Sequence, residues 1–321
     1  MANIIEELGK IGIVPVIKID DVEKAVPIAK ALVAGGIPCA EVTFRTAQAE
    51  ESIKRINKEV PGILLGAGTV LTIDQVDRSI AAGAKFVVTP GFNPKIVDHC
   101  ISKGIPVTPG CSNPSDIEMA IERGLDVIKF FPAEQTGGLD YIKAVSAPYP
   151  NLRFMPPGGI NAGNIAKYVA FEKIVACGGS WMVGADLINA GDYDKITALS
   201  KEAVRSMLGF TMVHVGINAE NDAEAVKAAA LFETMFGFAQ KPGNSSIFSS
   251  DGIEIMRSPY LGKHGHIAIA TNSVLKGWAY LERLGYAFNQ ESVKKDASGK
   301  LIAVYLKDEI AGFAVHLVQK K

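Results

Sequence analysis

The sequence lacks an excess of charge of either sign. Its 33 lysines and arginines are balanced by 34 acidic residues, which leaves a formal net charge of -1. Such a chain has no global field that would attract nucleic acid or an anionic membrane surface. We therefore expect neither nucleic acid nor a membrane as a partner.

The sequence also lacks a long apolar run. No stretch approaches the roughly 20 apolar residues of a membrane helix, and the N-terminal segment MANIIEELGK has no basic start followed by an apolar core. We expect a soluble, cytoplasmic protein.

Cysteine is scarce, and its spacing excludes a C-x-x-C pair. The four cysteines are scattered at Cys39, Cys100, Cys111 and Cys177, mostly in apolar surroundings. Such positions are typical of buried, reduced thiols with a structural role.

The chain is long enough for two domains, since 48% of its 321 residues are hydrophobic. Between residues 11 and 190, a short β-branched run, a loop and a helix-period segment alternate, which indicates parallel strands. The eight runs are GIVPVIKI, CAEVTF, ILLGAG, KFVVTP, IPVTPG, DVIKFF, LRFMPP and KIVACGG. This pattern predicts an α/β fold, a (β/α)8 TIM barrel over residues 1–208, with an open doubly wound sheet as the alternative.

A different pattern begins at Gly209 and continues to the end, residues 209–321. TMVHVGI, a helix through Phe236, SSIFSS and GIEIMR are followed by HGHIAIAT, a helix from Ser273 to about Leu284, LIAVYLKD and GFAVHLVQ. The repeat, at a period of about 50 residues, predicts a smaller α+β domain of two βαβββ modules.

Two barrel strands carry residues suited to catalysis at their C-terminal ends, where such barrels have their active sites. In strand two, alternation places Glu41, Thr43 and Arg45 on one face. Strand six holds Lys129 in the apolar run VIKFFP. Burial disfavours an ammonium ion, so a buried Lys129 becomes nucleophilic, as Schiff-base chemistry requires.

Each of these features has a plainer alternative. Taken alone, the Lys129 segment favours a strand-end lysine whose stem covers apolar surface while its ammonium reaches water. A structural ion pair is the alternative for Glu41 and Arg45.

Glycine-rich loops follow several of the strands, and they favour the catalytic interpretation. They are GAGTV at 66–70, TPGFNP at 89–94, PPGGI at 156–160 and GGSW at 178–181. Loops after strands seven and eight of barrels frequently bind phosphate through backbone amides, a role that suits Gly158, Gly159, Gly179 and Ser180. Tight-turn geometry is the alternative for these glycines.

The segments EVTFRT, GAGTV, TPGFNP, KFFPAE and GGSWMV resemble the class I aldolases of the 2-keto-3-deoxy-6-phosphogluconate and 4-hydroxy-2-oxoglutarate family, across about residues 1–205. The resemblance implies an aldehyde-lyase that forms a homotrimer and needs no cofactor or metal. It further implies roles for six residues: Lys129 as the Schiff-base lysine, Glu41 as general acid/base, Arg45 and Thr69 as holders of the pyruvate carboxylate, and Pro90 and Phe131 as pocket walls.

The implied reactions cleave 2-keto-3-deoxy-6-phosphogluconate to pyruvate and glyceraldehyde 3-phosphate, or 4-hydroxy-2-oxoglutarate to pyruvate and glyoxylate. The family usually has P-T-G-G after strand seven, whereas this chain has Pro157 in place of the threonine. A hydroxyl donor is lost, which bears on phosphate binding and on the preferred aldehyde. Another keto-deoxy acid, such as the phosphogalactonate epimer, is the alternative substrate.

The second domain has four residues suited to metal binding, one on a corresponding strand of each half-module. They are His214, Glu254, His266 and His316. Imidazole and carboxylate suit zinc, nickel, manganese or iron, although a solvated strand face is the alternative for each residue. Residues 211–321 resemble the glyoxalase and vicinal-oxygen-chelate superfamily, whose metal ligands lie at these four positions. The fourth ligand there is usually glutamate, where this chain has His316.

Three functional hypotheses follow. The chain is an aldolase joined to a metal-dependent enzyme acting on a related keto acid or aldehyde, or an aldolase whose second domain is a non-catalytic metabolite-binding or assembly module. In the third, the whole chain is non-catalytic. The joint presence of Glu41, Arg45, Thr69 and Lys129 counts against the third.

Overall fold

The structure is a computed structural model that describes residues 2–320, with side chains from residue 4 onward. Internal contacts divide it into two compact units, Met1–Met207 and Leu208–Lys321. No helix among the described residues is both long and apolar enough to cross a membrane. All four cysteines are buried.

The first unit alternates strands with helices from end to end. Its strands are β1 Ile13–Ile17, β2 Cys39–Thr43, β3 Leu64–Gly68, β4 Phe86–Val88, β5 Val107–Thr108, β6 Val127–Lys129, β7 Arg153–Met155 and β8 Cys177–Gly179. Its helices are α1 Ala2–Ile11, α2 Ala25–Ala34, α3 Ala49–Glu59, α4 Ile73–Ala82, α5 Pro94–Ser102, α6 Pro114–Glu122, α7 Gly138–Ser146, α8 Ile165–Ala170, α9 Ala185–Ala190 and α10 Tyr193–Leu208. Two short 3-10 turns, Val22–Lys24 and Glu134–Thr136, complete the unit.

All strand pairs of the first unit are parallel, as strands separated by helices require. Six strands form one sheet in the order β5-β4-β3-β2-β1-β8, and β6 pairs with β7. Isolated parallel bridges, Gly110 with Lys129 and Phe154 with Ile174, join the two sheets. The unit therefore has a TIM-like (β/α) fold.

Polar caps set where several helices of this unit begin. Thr72 accepts a hydrogen bond from the Gln75 amide at the start of α4, and Asn93 and Asn113 cap α5 and α6, which both open on proline. Such caps satisfy amides that have no partner within the helix. Helix α4 ends at Gly83, whose φ of 104° is the left-handed conformation that glycine adopts most easily.

The second unit is mostly strands. Its elements are β9 Thr211–Asn218, α11 Asp222–Phe236, β10 Gln240–Pro242, β11 Ser246–Ser249, β12 Ile253–Met256, β13 Gly265–Thr271, α12 Val274–Arg283, β14 Phe288–Lys295, β15 Leu301–Leu306 and β16 Phe313–Gln319. The order strand, helix and three strands thus occurs twice. The strands form one sheet in the order β10-β11-β12-β9-β13-β16-β15-β14.

Each repeat has its own small apolar cluster, because each helix packs on the strands of its own half. The first cluster contains Ala225, Ala229, Ile247 and Ile255, and the second contains Val274, Phe288, Val304 and Leu317. The strands β9 and β13, antiparallel neighbours at the centre of the sheet, join the two halves.

Candidate functional site

Lys129 is the last residue of β6 and lies in the interior of the first unit. Its side chain is only 6% exposed, and its Nζ atom lies 4.9 Å from the centre of the Phe131 ring. Phe131 itself is 41% exposed, so it stands between this interior and solvent. The geometry does not match a strand-end lysine whose ammonium extends into water.

Glu41 of β2 is buried near Lys129, with 1% exposure. Its carboxylate lies against Gly68, where an added Cβ atom would come within 2.1 Å of Oε1. Burial raises the pKa of Glu41 above its usual value, and the charges of Lys129 and Arg45 oppose that rise. A raised pKa makes the carboxylate a stronger base and keeps the protonated form to higher pH, which suits a group that both takes and gives a proton.

Arg45 lies two residues beyond the end of β2, which corrects the expectation that it belongs to that strand. It is nevertheless tied to the strand, because its Nε donates a hydrogen bond of 3.1 Å to the Thr43 hydroxyl. That hydroxyl donates in turn to the Ile17 carbonyl at 2.9 Å. Among the described residues Arg45 forms no salt bridge with Glu41, although its charge acts on the Glu41 carboxyl, so the ion-pair alternative is not observed as a direct contact.

Thr69 follows β3 with a φ of 54°, in the left-handed region that a β-branched residue rarely adopts. Strained residues of this kind cluster at binding and catalytic sites.

Pro90 follows β4, and its carbonyl oxygen would lie 2.1 Å from a Cβ atom added to Gly110. The absence of a side chain at Gly110 thus lets the Pro90 loop pack against the strand end that bridges Lys129.

The loop after β7 is held against the segment that follows Lys129. The Ala133 amide donates to the Pro157 carbonyl at 2.8 Å, and the Glu134 amide donates to the Gly158 carbonyl at 3.0 Å. Gly158 and Gly159 have φ values of 100° and 80°, so glycine is required there for backbone geometry. The tight-turn interpretation therefore applies to this pair, whether or not the loop binds a ligand.

After β8, the Trp181 ring covers Gly179 so closely that an added Cβ atom would come within 1.9 Å of it. Ser180 between them is exposed. The Trp181 Nε1 atom is buried and makes no hydrogen bond within the described part of the chain. Sequence reasoning quoted the GGSW segment for its glycines and its serine and overlooked the tryptophan.

The second unit brings three of the predicted metal-binding side chains into contact. His214 and His266 meet through their Nε2 atoms at 3.1 Å, and each Nε2 lies 3.1 Å from Glu254 Oε2. His316 completes the group, since one ligand nitrogen from each of the three histidines lies within 4.8 Å of the others.

The environment of this cluster favours the neutral form of His316 and the charged form of Glu254. Burial raises the pKa of Glu254, but hydrogen bonds from His214, His266 and Ser246 outweigh it and hold the pKa well below its usual value. The pKa of His316 is lowered to about 3, chiefly by burial, and the neighbouring His266 and His214 act in the same direction. The neutral ring and the ionised carboxylate are the forms that bind metals.

Two neighbours of the cluster were missed by sequence reasoning. Ser246 donates a hydrogen bond of 2.6 Å to Glu254 Oε1, and the Tyr305 ring stacks on His316 with centroids 4.4 Å apart. Both lie on strands of the same sheet. Because alternate residues of a strand point to the same face, the segments SSIFSS and LIAVYL could have indicated that Ser246 and Tyr305 face the cluster.

Comparison with known proteins shows to which family the first unit belongs. The first unit, with its TIM-like fold and these strand-end residues, is an aldolase, a carbon–carbon lyase. The family model of KDPG and KHG aldolases matches residues 4–199, and the chain belongs to this family.

Curated relatives share close to half of the matched sequence. The 2-dehydro-3-deoxy-phosphogluconate aldolase of Treponema pallidum is 50% identical over 205 residues, which are 64% of this chain and 98% of that protein. The KHG/KDPG aldolase of Escherichia coli K12 is 45% identical over 192 residues, 60% of this chain and 90% of that protein.

Solved structures agree with the fold. The 2-keto-3-deoxy-6-phosphogluconate aldolase of Zymomonas mobilis with 3-phosphoglycerate is 42% identical, with a TM-score of 0.58 over 62% of this chain and 94% of that one. The KDPG aldolase of Legionella pneumophila, with pyruvate captured as a covalent carbinolamine, is 35% identical, with a TM-score of 0.60 over 62% of this chain and 97% of that one.

Proposed function

We propose that the first unit is a class I aldolase in which Lys129 is the Schiff-base nucleophile and Glu41 the general acid/base. The observation that carries this proposal is the burial of the Lys129 side chain within the electrostatic range of the buried Glu41 carboxyl. A desolvated amine beside a proton-transfer group is what imine formation needs. The carbinolamine in the Legionella relative is the first adduct of such a reaction.

The reaction proceeds in three chemical steps. The Lys129 nitrogen attacks C2 of the keto acid, and the ketone oxygen leaves as water after taking up protons, which leaves an iminium ion. The C3–C4 bond then breaks, its electron pair moves into the iminium to form an enamine, and the C4 hydroxyl proton passes to Glu41, releasing the aldehyde. Finally C3 takes a proton back from Glu41, and water releases pyruvate from the lysine.

Other residues orient the substrate. Arg45, fixed through Thr43, and the strained Thr69 hold the pyruvate carboxylate, while Pro90 and Phe131 shape the pocket. A guanidinium matches a carboxylate in geometry and charge. Holding the carboxylate aligns the breaking bond with the iminium, so that orientation contributes to rate.

The proposed substrates are 2-keto-3-deoxy-6-phosphogluconate, which gives pyruvate and glyceraldehyde 3-phosphate, and 4-hydroxy-2-oxoglutarate, which gives pyruvate and glyoxylate. The names of the Treponema and Escherichia relatives favour these over the phosphogalactonate epimer. Gly158, Gly159, Gly179 and Ser180 are the residues proposed to bind the phosphate. Pro157 supplies no hydroxyl there, so we expect a smaller preference for the phosphorylated substrate than a threonine would give.

The test is to incubate the full chain with pyruvate and borohydride, then locate the reduced adduct by mass spectrometry after digestion. Modification at Lys129, abolished in Lys129→Arg, is the expected result. Lys143 on α7 serves as the control position, and Lys143→Arg should leave the adduct unchanged. Folded protein with an unmodified Lys129 would overturn the proposal.

The bridges between the two sheets support a closed (β/α)8 barrel, with residues 1–208 as its domain. The homotrimer implied by the resemblance stays a prediction, and sedimentation of the full chain tests it.

For the second unit, residues 209–321, we propose a metal-binding domain of the vicinal-oxygen-chelate type with His214, Glu254, His266 and His316 as ligands. The specific observation is His316, which is 7% exposed and whose two ring nitrogens have no hydrogen-bond partner among the described residues. Burying such a group without a partner is unfavourable, and a metal ion would satisfy it. The donor set suits zinc, nickel, manganese or iron, any of which would supply Lewis acidity there.

Equilibrium dialysis of the full chain against Zn²⁺, with metal analysis, tests this domain. We expect one ion per chain, lost in His214→Ala. The matched control is His264→Ala, because His264 is exposed and lies outside the cluster. Equal metal content in both variants would overturn the proposal.

A further inference from the structure

The first unit contains three buried threonines on the strands and loops around Lys129, and one of them differs from the others. The Thr43 hydroxyl donates to the Ile17 carbonyl at 2.9 Å, and the Thr89 hydroxyl donates to the Gly91 carbonyl at 2.8 Å. Thr108 is 1% exposed, yet its hydroxyl has no partner in the part of the chain that the structure describes. A buried hydroxyl without a partner is unfavourable, so its retention needs an explanation.

Strand register shows which way Thr108 points. Gly110, two residues further along the chain, bridges Lys129 in parallel register, and paired residues of parallel strands point to the same side of the sheet. Gly110 lies just beyond β5, but the parallel pairing continues there, because the Lys129 amide donates to the Pro109 carbonyl and the Cys111 amide donates to the Lys129 carbonyl. Residues two apart in such an extended segment share one side. The Thr108 side chain therefore lies on the inner face that carries Lys129, on the neighbouring strand.

Strand register places a second unpartnered polar atom on the same face. Glu41 pairs with Gly66 and Gly66 pairs with Phe86, while Thr108 pairs with Val88, two residues beyond Phe86. Glu41 Oε1 is buried and has no hydrogen-bond partner among the residues described, and the Glu41 carboxyl interacts electrostatically with Lys129. A hydroxyl can donate and a carboxylate can accept, and interior water typically links such groups when two or more polar partners are available.

We propose that Thr108 is a positioning residue, whose hydroxyl anchors an interior water that hydrogen-bonds the Glu41 carboxylate. This inference rests on the proposed role of Glu41. The water fixes the carboxyl in the orientation that delivers a proton to the departing C2 oxygen and that takes the C4 hydroxyl proton. Thr108 touches no reacting atom, so its contribution is to the rate of the proton transfers and not to substrate affinity.

The experiment compares Thr108→Val, which removes the hydroxyl at nearly constant shape, with Thr108→Ser, which keeps it. Ser52→Ala is the matched control, because the Ser52 hydroxyl is equally buried and unpartnered among the described residues but lies on helix α3. Each full-length variant is assayed for kcat and KM with 2-keto-3-deoxy-6-phosphogluconate across pH, and for the rate of pyruvate trapping by borohydride.

We expect Thr108→Val to lower kcat and the trapping rate about tenfold with KM within about twofold, since general acid–base catalysis depends on orientation. The acidic limb of its pH profile should shift, Thr108→Ser should restore most of the rate, and Ser52→Ala should behave like the parent. Thr108→Ala gives the same comparison if the valine variant does not fold. A folded Thr108→Val or Thr108→Ala variant with parental kcat and pH profile overturns the inference, whereas a parent chain that is not trapped at Lys129 overturns the proposed function instead.

Discussion

At the scale of single residues, Glu41 is an ionisable side chain held almost entirely away from water. Its carboxyl is buried against Gly68, with Lys129 and Arg45 supplying positive charge nearby. The same burial that suits it for proton transfer makes its ionisation unfavourable for folding. Activity and stability therefore depend on this side chain in opposite ways.

Glu41→Gln should lower kcat by about 10²- to 10⁴-fold, because the amide cannot exchange a proton with the substrate. Its effect on stability depends on pH. Burial raises the pKa of Glu41 above the ordinary 4.5, so its stabilising contribution is full below about that pH and is lost as pH rises through the raised pKa. We expect the difference in melting temperature, Glu41→Gln minus parent, to become more positive between pH 4.5 and pH 8.

Thermal melts at several pH values check this prediction. Glu59→Gln, at the exposed end of α3, is the control and should leave both kcat and the melting temperature unchanged. A constant difference between parent and Glu41→Gln across the pH range would contradict the account of Glu41.

Gly68→Ala tests the position of the Glu41 carboxylate without removing it. The new methyl group would come within 2.1 Å of Oε1, so the carboxylate must move. We expect kcat to fall about 10²-fold while the protein stays folded, since small misplacements of catalytic groups have effects of that size. Gly9→Ala in α1 is the control, as its methyl group would meet Val175 at an ordinary 3.6 Å. Equal kcat values in the two variants would contradict the prediction.

At the scale of secondary structure, the strands and helices of the first unit follow local signals. Alternating β-branched runs predicted all eight strands, and asparagine or threonine before a helical segment marks the starts of α4, α5 and α6. Two strands of the second unit, β10 and β14, were not identified individually, because QKP contains proline and FNQESVKK is mostly polar. Their pairing within the sheet decides their conformation, as tertiary context often does for strands.

Thr72→Ala should weaken α4 and lower the free energy of unfolding by about 1 kcal/mol, the usual cost of losing such a cap. The Thr72 hydroxyl accepts a 3.1 Å hydrogen bond from the Gln75 amide, which is left without that partner in the variant. Urea unfolding measures the difference, and Thr72→Ser should restore stability. A change below about 0.3 kcal/mol would show that the cap does not stabilise the helix.

At the scale of the whole molecule, the chain consists of two compact units, and the polar groups around Lys129 and those around His316 lie in different units. A ligand stabilises the unit that binds it, by about 2.7 kcal/mol at a concentration of 100 times Kd. Two units that unfold independently should therefore respond to different ligands.

Calorimetry of the full chain should show two transitions. Zn²⁺ should raise one of them, and pyruvate fixed by borohydride at Lys129 should raise the other. His316→Ala should abolish only the zinc response, because His316 is the buried imidazole that lacks another partner among the described residues. If Zn²⁺ raised neither transition of the parent chain, or still raised one in the His316→Ala variant, the second-unit metal site would be wrong.

The sequence by itself determined the order of strands and helices in the first unit, the family of that unit and the residue types at its strand ends. Hydrophobic period, capping residues and glycine-rich loops are local, so they can be read without coordinates. The three-dimensional structure alone decided which side chains meet. It showed that Lys129 is buried rather than exposed, and that Glu41 and Arg45 form no ion pair. It also brought His214, His266 and Glu254 together and left the Thr108 hydroxyl without a partner among the described residues. Each of these findings depends on contacts between distant segments. Such contacts arise from strand register and packing, which a one-dimensional pattern does not specify.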